Sequence, residues 1–93
     1  MIPELPGMIK IHEEEKEDIQ KATYLFKNVD ISKIFKEILK NKFNDWNLEK
    51  EEVINSNYIL KFSTEKEIID IKLQFKRGEG TFINICSLTK REK

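Results

Sequence analysis

The sequence predicts an α+β domain of two layers, with one or two helices packed on an antiparallel sheet of about four strands. Three observations carry that prediction. First, Tyr58, Leu60 and Phe62 alternate with Ile59, Lys61 and Ser63, and Ile69, Ile71, Leu73 and Phe75 alternate with Asp70, Lys72, Gln74 and Lys76. Thr81-Phe82-Ile83-Asn84-Ile85-Cys86 then resumes the alternation. A period of two puts one apolar row on one side of a sheet and a polar row on the other. Second, turn-forming clusters at Asn55-Ser56-Asn57, Ser63–Glu67 and Arg77-Gly78-Glu79-Gly80 separate these strands by short connections. Short connections make consecutive strands antiparallel neighbours, so the C-terminal half reads as a β-meander. Third, Ile31, Ile34, Phe35, Ile38, Leu39 and Phe43 recur at spacings of three and four, which gives a helix with a broad apolar stripe.

Taken from its start, the chain opens with an extended arm over residues 1–12. Pro3 and Pro6 each push the preceding residue out of helical conformation, and Gly7 permits a turn. Met8-Ile9-Lys10-Ile11 either adds a short edge strand or stays mobile with the rest of the arm. Residues 13–93 then form the single domain. Within Glu13-Glu14-Glu15-Lys16-Glu17-Asp18, five of six residues are acidic, which suits the first turns of a helix. Ile19, Ala22, Phe26 and Val29 continue at helical spacing, so a helix is expected from about 13 to 27. Ala22-Thr23-Tyr24-Leu25-Phe26 is also rich in strand formers, and this leaves a strand as the rival reading for the second half.

Asp30, or Ser32, caps the next helix. Trp46 and Leu48 lead into Glu49-Lys50-Glu51-Glu52-Val53-Ile54, a fourth strand whose charges protect an exposed edge. The tail Lys90-Arg91-Glu92-Lys93 is polar and expected to fray. The meander needs a cover, and the helix from Ile31 to Phe43 supplies it.

Composition narrows the function classes. The chain has 93 residues, room for one domain, and 37% of them are charged, well above the roughly 25% of an average soluble domain. No apolar run approaches the roughly 18 residues needed to cross a bilayer, so no membrane partner is expected. The N-terminus lacks a basic region followed by an apolar stretch, and a lone cysteine forms no internal disulfide. Both features point to a cytoplasmic protein. Heavy use of Lys, Ile, Glu and Asn resembles an AT-rich bacterial, phage or mobile-element source. Formal net charge is zero. Residues 1–60 nevertheless hold nine lysines against twelve acids, and residues 61–93 hold eight basic residues against five acids. The basic excess therefore lies on the β-rich half.

The residues that carry chemistry elsewhere are sparse here. His12 is the only histidine and Cys86 the only cysteine, and they come together as a nucleophilic pair only if the fold brings them into hydrogen-bond reach. One His and one Cys do not fill a four-ligand zinc site, so neither metal nor cofactor is expected. Gly78-Glu79-Gly80 precedes a strand, where a dinucleotide fingerprint would open a helix, so it reads as a hairpin turn. The expectation is a non-catalytic binding protein, without enzymatic activity, acting through a protein–protein interface, as a small phage or mobile-element inhibitor of a host factor would.

Three surfaces are candidates. Thr81–Leu88 carries no charge and is apolar on both sides, so Phe82, Asn84, Cys86 and Leu88 would lie along an edge strand that captures a protein strand or a second copy. Trp46, the only tryptophan, would anchor a protein partner. The alternative is a nucleic-acid-binding module that holds phosphates on a basic strip of Lys61, Lys72, Gln74, Lys76 and Arg77 along the exposed sheet face.

Overall fold

In the computed structural model, which describes residues 2–90, the chain runs β1 (Met8–Lys16), β2 (Ile19–Lys27), α1 (Ser32–Lys42), β3 (Asn47–Ile54), β4 (Asn57–Ser63), β5 (Glu67–Lys76) and β6 (Gly80–Thr89). Arg91, Glu92 and Lys93 of the polar tail lie outside the described residues. All six strands join one antiparallel sheet in the order β1-β2-β6-β5-β4-β3. β3 to β6 form the expected meander. β6 then returns to pair with β2, so the N-terminal hairpin extends the sheet to six strands where about four were expected.

The turns follow local chemistry. Asn55 and Ser56 both take positive φ, 51° and 67°, as a two-residue type I′ hairpin requires. In the β4–β5 turn the Thr64 hydroxyl accepts the amides of Lys66 and Glu67, both at 3.1 Å. At the start of β6, Gly80 sits at φ 134°, and a Cβ there would collide with the Phe26 carbonyl oxygen. Only glycine lets β2 and β6 approach at this point.

The expected helix over 13–27 is instead the β1–β2 hairpin. Ile19, Ala22 and Phe26 fit a helical stripe, but Ala22, Tyr24 and Phe26 also alternate with Lys21, Thr23 and Leu25, and the sheet selects the second pattern. Ala22 pairs with Ile85, and Tyr24, which is buried, pairs with Ile83. Turn residue Glu17 has φ 41°. The arm is correspondingly shorter than residues 1–12. Strand β1 begins at Met8, and the segment before it is residues 2–7, with a turn at Pro6–Gly7 and with Ile2 and Leu5 packed against the core.

One helix therefore covers the sheet. Asp30 accepts the Ser32 amide at 3.0 Å, and helical structure starts at Ser32. The buried stripe is Ile31, Phe35, Leu39 and Phe43, spaced by four, while Ile34 on the flank is 64% exposed. This stripe lies on Leu60 and Phe62 of β4, Ile69, Ile71 and Leu73 of β5, and Ile83 of β6. Phe43 stacks 5.0 Å from Phe62. At the other end Thr81 ties helix to sheet: its hydroxyl accepts the Ile31 amide at 2.9 Å and donates to the Val29 carbonyl at 2.7 Å.

β6 lies between β2 and β5, so its backbone groups are taken on both sides. This corrects the expectation that Phe82, Asn84, Cys86 and Leu88 line an open edge. An uncharged strand with two apolar faces is the signature of a sheet centre, where neighbours cover both edges. The edges are β1 and β3.

Candidate functional site

Antiparallel partners share a face, so register assigns every strand residue to one side of the sheet. The helix and the arm occupy one face. No element among the described residues covers the other.

That open face holds four full rows. Across the middle run His12, Thr23, Asn84, Lys72, Ile59 and Glu52, and beside them Glu14, Lys21, Cys86, Asp70, Lys61 and Lys50. Toward one end Ile19, Leu88 and Ile68 lie side by side, and toward the other Ile9, Leu25 and Phe82 do. Ile9, Ile19 and Leu88 are exposed, at 43%, 40% and 38%. Two apolar rows thus bracket a polar centre.

Charge is unevenly divided. The open face carries seven lysines, Lys16, Lys21, Lys27, Lys50, Lys61, Lys72 and Lys76, against four acids, Glu14, Glu49, Glu52 and Asp70, with the Glu49 carboxylate accepting from the Ser63 hydroxyl. Its net charge is +3 in a chain whose formal net charge is zero. Central strand β6 has no charge, and lysines rise on both sides of it, from β2 and from β5. Short side chains on β2 and β6 leave a shallow trough between them, lined by His12, Lys21, Thr23, Lys72, Asn84 and Cys86.

The expected basic strip is thereby placed. Lys61, Lys72, Gln74 and Lys76 all belong to the open face, and Arg77 lies in the turn after β5. The strip is not continuous, since Asp70 sits directly beside Lys61, and the Lys76 ammonium lies 4.9 Å over the Phe82 ring. Phe82, Asn84, Cys86 and Leu88 reach the same surface from β6 by their side chains, not by an edge. Trp46 is elsewhere: it is half-buried, edge-on to Phe43 at 5.0 Å, and closes the end of the helix–sheet core.

Lys16, Lys21, Lys27 and Thr23 complete this surface, and assigning residues 13–27 to a helix hid them. The signal was present, because Lys21, Thr23, Leu25 and Lys27 alternate with Ala22, Tyr24 and Phe26.

His12 and Cys86 stand on the same face with β2 between them, two strand spacings across and two residues along, about 12 Å apart. The partner of His12 is Glu14, 3.8 Å away. Among the described residues no group of three or more His, Cys, Asp or Glu side chains is placed to hold a metal ion. No helix there is long and apolar enough to cross a membrane.

A second concavity lies on the covered face, where the arm only partly roofs β1, β2 and β6. Its floor is Ala22, Ile69 and Ile85, with Ile2 above. The rim groups already hold one another: Lys10 pairs with Glu13 at 3.1 Å, which raises the Lys10 pKa, and Gln20 donates to Glu15 at 2.9 Å. This leaves the open face as the larger unengaged surface. No protein-family model matches the chain, and neither does any curated protein or solved structure.

Proposed function

We propose that this is a non-catalytic binding protein that docks an acidic protein partner on the open face of its sheet. The observation that carries the reading is the net +3 of that face, set between two partly exposed apolar rows, in a chain of zero formal charge. A six-stranded face presents on the order of 600 Å², at about 4.8 Å per strand and 3.4 Å per residue, which approaches the roughly 800 Å² per partner of a stable complex. Apolar rows supply the desolvated area, and the lysines steer an acidic partner and reject a basic one.

A nucleic-acid partner is the second reading, favoured by the same lysines. Single strands gain much of their affinity from aromatic side chains on which bases stack. Among the described residues Phe82 is the only Phe, Tyr or Trp on this face, and Lys76 already covers its ring. The protein partner therefore fits better. An inhibitor of a host factor is one role such a surface would serve.

The test titrates ¹⁵N-labelled protein with two probes of equal charge, an amphipathic peptide alternating Glu and Leu, and single-stranded oligothymidylate. The expected result is tighter binding of the peptide, with shifts concentrated at Thr23, Lys72, Asn84 and Cys86. Tighter, steeply salt-dependent binding of the oligonucleotide would transfer the proposal to the second reading. Shifts confined to α1 would overturn both.

A further inference from the structure

Strand β3 forms one edge of the sheet, and all eight of its residues, Asn47–Ile54, are exposed. It also carries three of the large exposed hydrophobics: Leu48 at 42%, Val53 at 62% and Ile54 at 47%. An edge of this kind offers a row of unpaired backbone donors and acceptors, and its charges normally repel whatever would pair there. Here the charges alternate in sign on one face. Lys50 and Glu52 both point to the open face, opposite Lys61 and Ile59 of β4. Glu51 points to the helix face, where Lys40 holds it at 3.1 Å and Lys36 at 3.5 Å.

That arrangement is self-complementary. We propose that two copies of this chain pair antiparallel through β3, with a two-fold axis perpendicular to the sheet at Glu51. Lys50 of each copy then lies beside Glu52 of the other, giving two ion pairs on the open face. The bulge between Leu48 and Lys50 turns Leu48 to the helix face while Ile54 lies on the open face, so the two ion pairs, not an apolar contact, fix the register. The like-charged neighbours Lys50 and Lys61 gain an acid between copies. The two Glu51 carboxylates meet near the axis, but each is already neutralised by Lys36 and Lys40 of its own copy. Registers displaced by two residues either way set Glu52 against Glu52 or leave Lys50 against Lys50, so the charges that repel other strands select this one pairing.

Nothing obstructs it. In such a pair the β4 strands are separated by about 14 Å, three strand spacings, and the helices ride over β4 and β5 on the same side. The result is one twelve-stranded sheet whose open face continues across both copies. Because the symmetry is isologous, assembly stops at two.

Sedimentation equilibrium on the full chain tests this, together with charge exchange. The wild type is expected to be a monomer–dimer system at micromolar to high micromolar concentration. Lys50→Glu sets Glu against Glu52 of the other copy and should weaken dimerisation about tenfold or more, from two lost pairs and two new repulsions. The double exchange Lys50→Glu/Glu52→Lys restores both pairs and should return the constant to within about threefold of wild type. Circular dichroism melts confirm that each variant is folded, and acidic-probe binding on the open face is measured separately, so this proposal fails or stands independently of the function above. A strict monomer, a dimer insensitive to Lys50→Glu, no rescue by the double exchange, or open-ended oligomers would each overturn it.

Discussion

Thr81 is the residue on which both layers depend. It is fully buried, and its hydroxyl links β6 to the backbone entering the helix, accepting from Ile31 and donating to Val29. Thr81→Val keeps the shape but strands the Ile31 amide and the Val29 carbonyl, and should cost about 1–3 kcal/mol in urea melts, with Thr81→Ser retaining most of the stability. Equal losses for both would show that the methyl group, not the hydroxyl, matters. The two glycines of the β5–β6 turn separate strain from collision. Gly78 has φ 86° with open space around it, so Gly78→Ala should cost about 1 kcal/mol. Gly80→Ala adds a clash with backbone and should lose on the order of 3 kcal/mol. Glu51 sets part of the acid response. The Lys40 hydrogen bond, with help from Lys36, holds its carboxyl below the ordinary value. Its stabilising share is complete above the unfolded carboxylate range and is lost as pH falls through the lowered value. Glu51→Gln should therefore narrow the difference between urea midpoints measured at pH 7 and pH 3, and an unchanged difference would remove Glu51 from the account.

At the scale of elements, α1 is a lid held by one row. Phe35 is fully buried whereas Ile34, its neighbour, is 64% exposed. Phe35→Ala should cost about 3–5 kcal/mol, and Ile34→Ala should stay within about 0.5 kcal/mol. Both residues belonged to the stripe seen in the sequence, because periodicity marks a broad apolar arc without saying which part of it meets the sheet. The meander was legible for the opposite reason. Asn55-Ser56 and the two glycines flanking residue 79 are residue types that favour the backbone of tight turns, the glycines because they lack a Cβ, so strand limits could be read directly. The β1–β2 hairpin was hidden because its turn uses Glu17 and Asp18, which do not advertise a reversal, and because its acidic run resembles a helix start. The central place of β6 was hidden too. Its pairing with β2 joins residues about sixty apart in sequence, as in Tyr24 with Ile83, and local patterning carries no record of such a partner.

At the scale of the molecule, the sheet is two-sided, with the core on one side and the uneven charge on the other. That division follows from the fold. The one helix and the short arm suffice for a single face of six strands, so the chemistry of the second face is left to side chains that need not pack. Seven lysines there, against four acids, give a surface that attracts anions, while the helix face and loops carry the compensating acids. The central claim is that partners meet the protein on this open face. It is tested most directly by installing a photoreactive side chain at Asn84, in the middle of that face, and separately at Ile34, on the exposed flank of the helix, and irradiating each with the acidic Glu/Leu peptide. Efficient crosslinking from Asn84 that disappears with Lys61→Glu/Lys72→Glu, and little from Ile34, is the predicted result. Equal or greater crosslinking from Ile34, or crosslinking from Asn84 that survives reversal of those two charges, would contradict it.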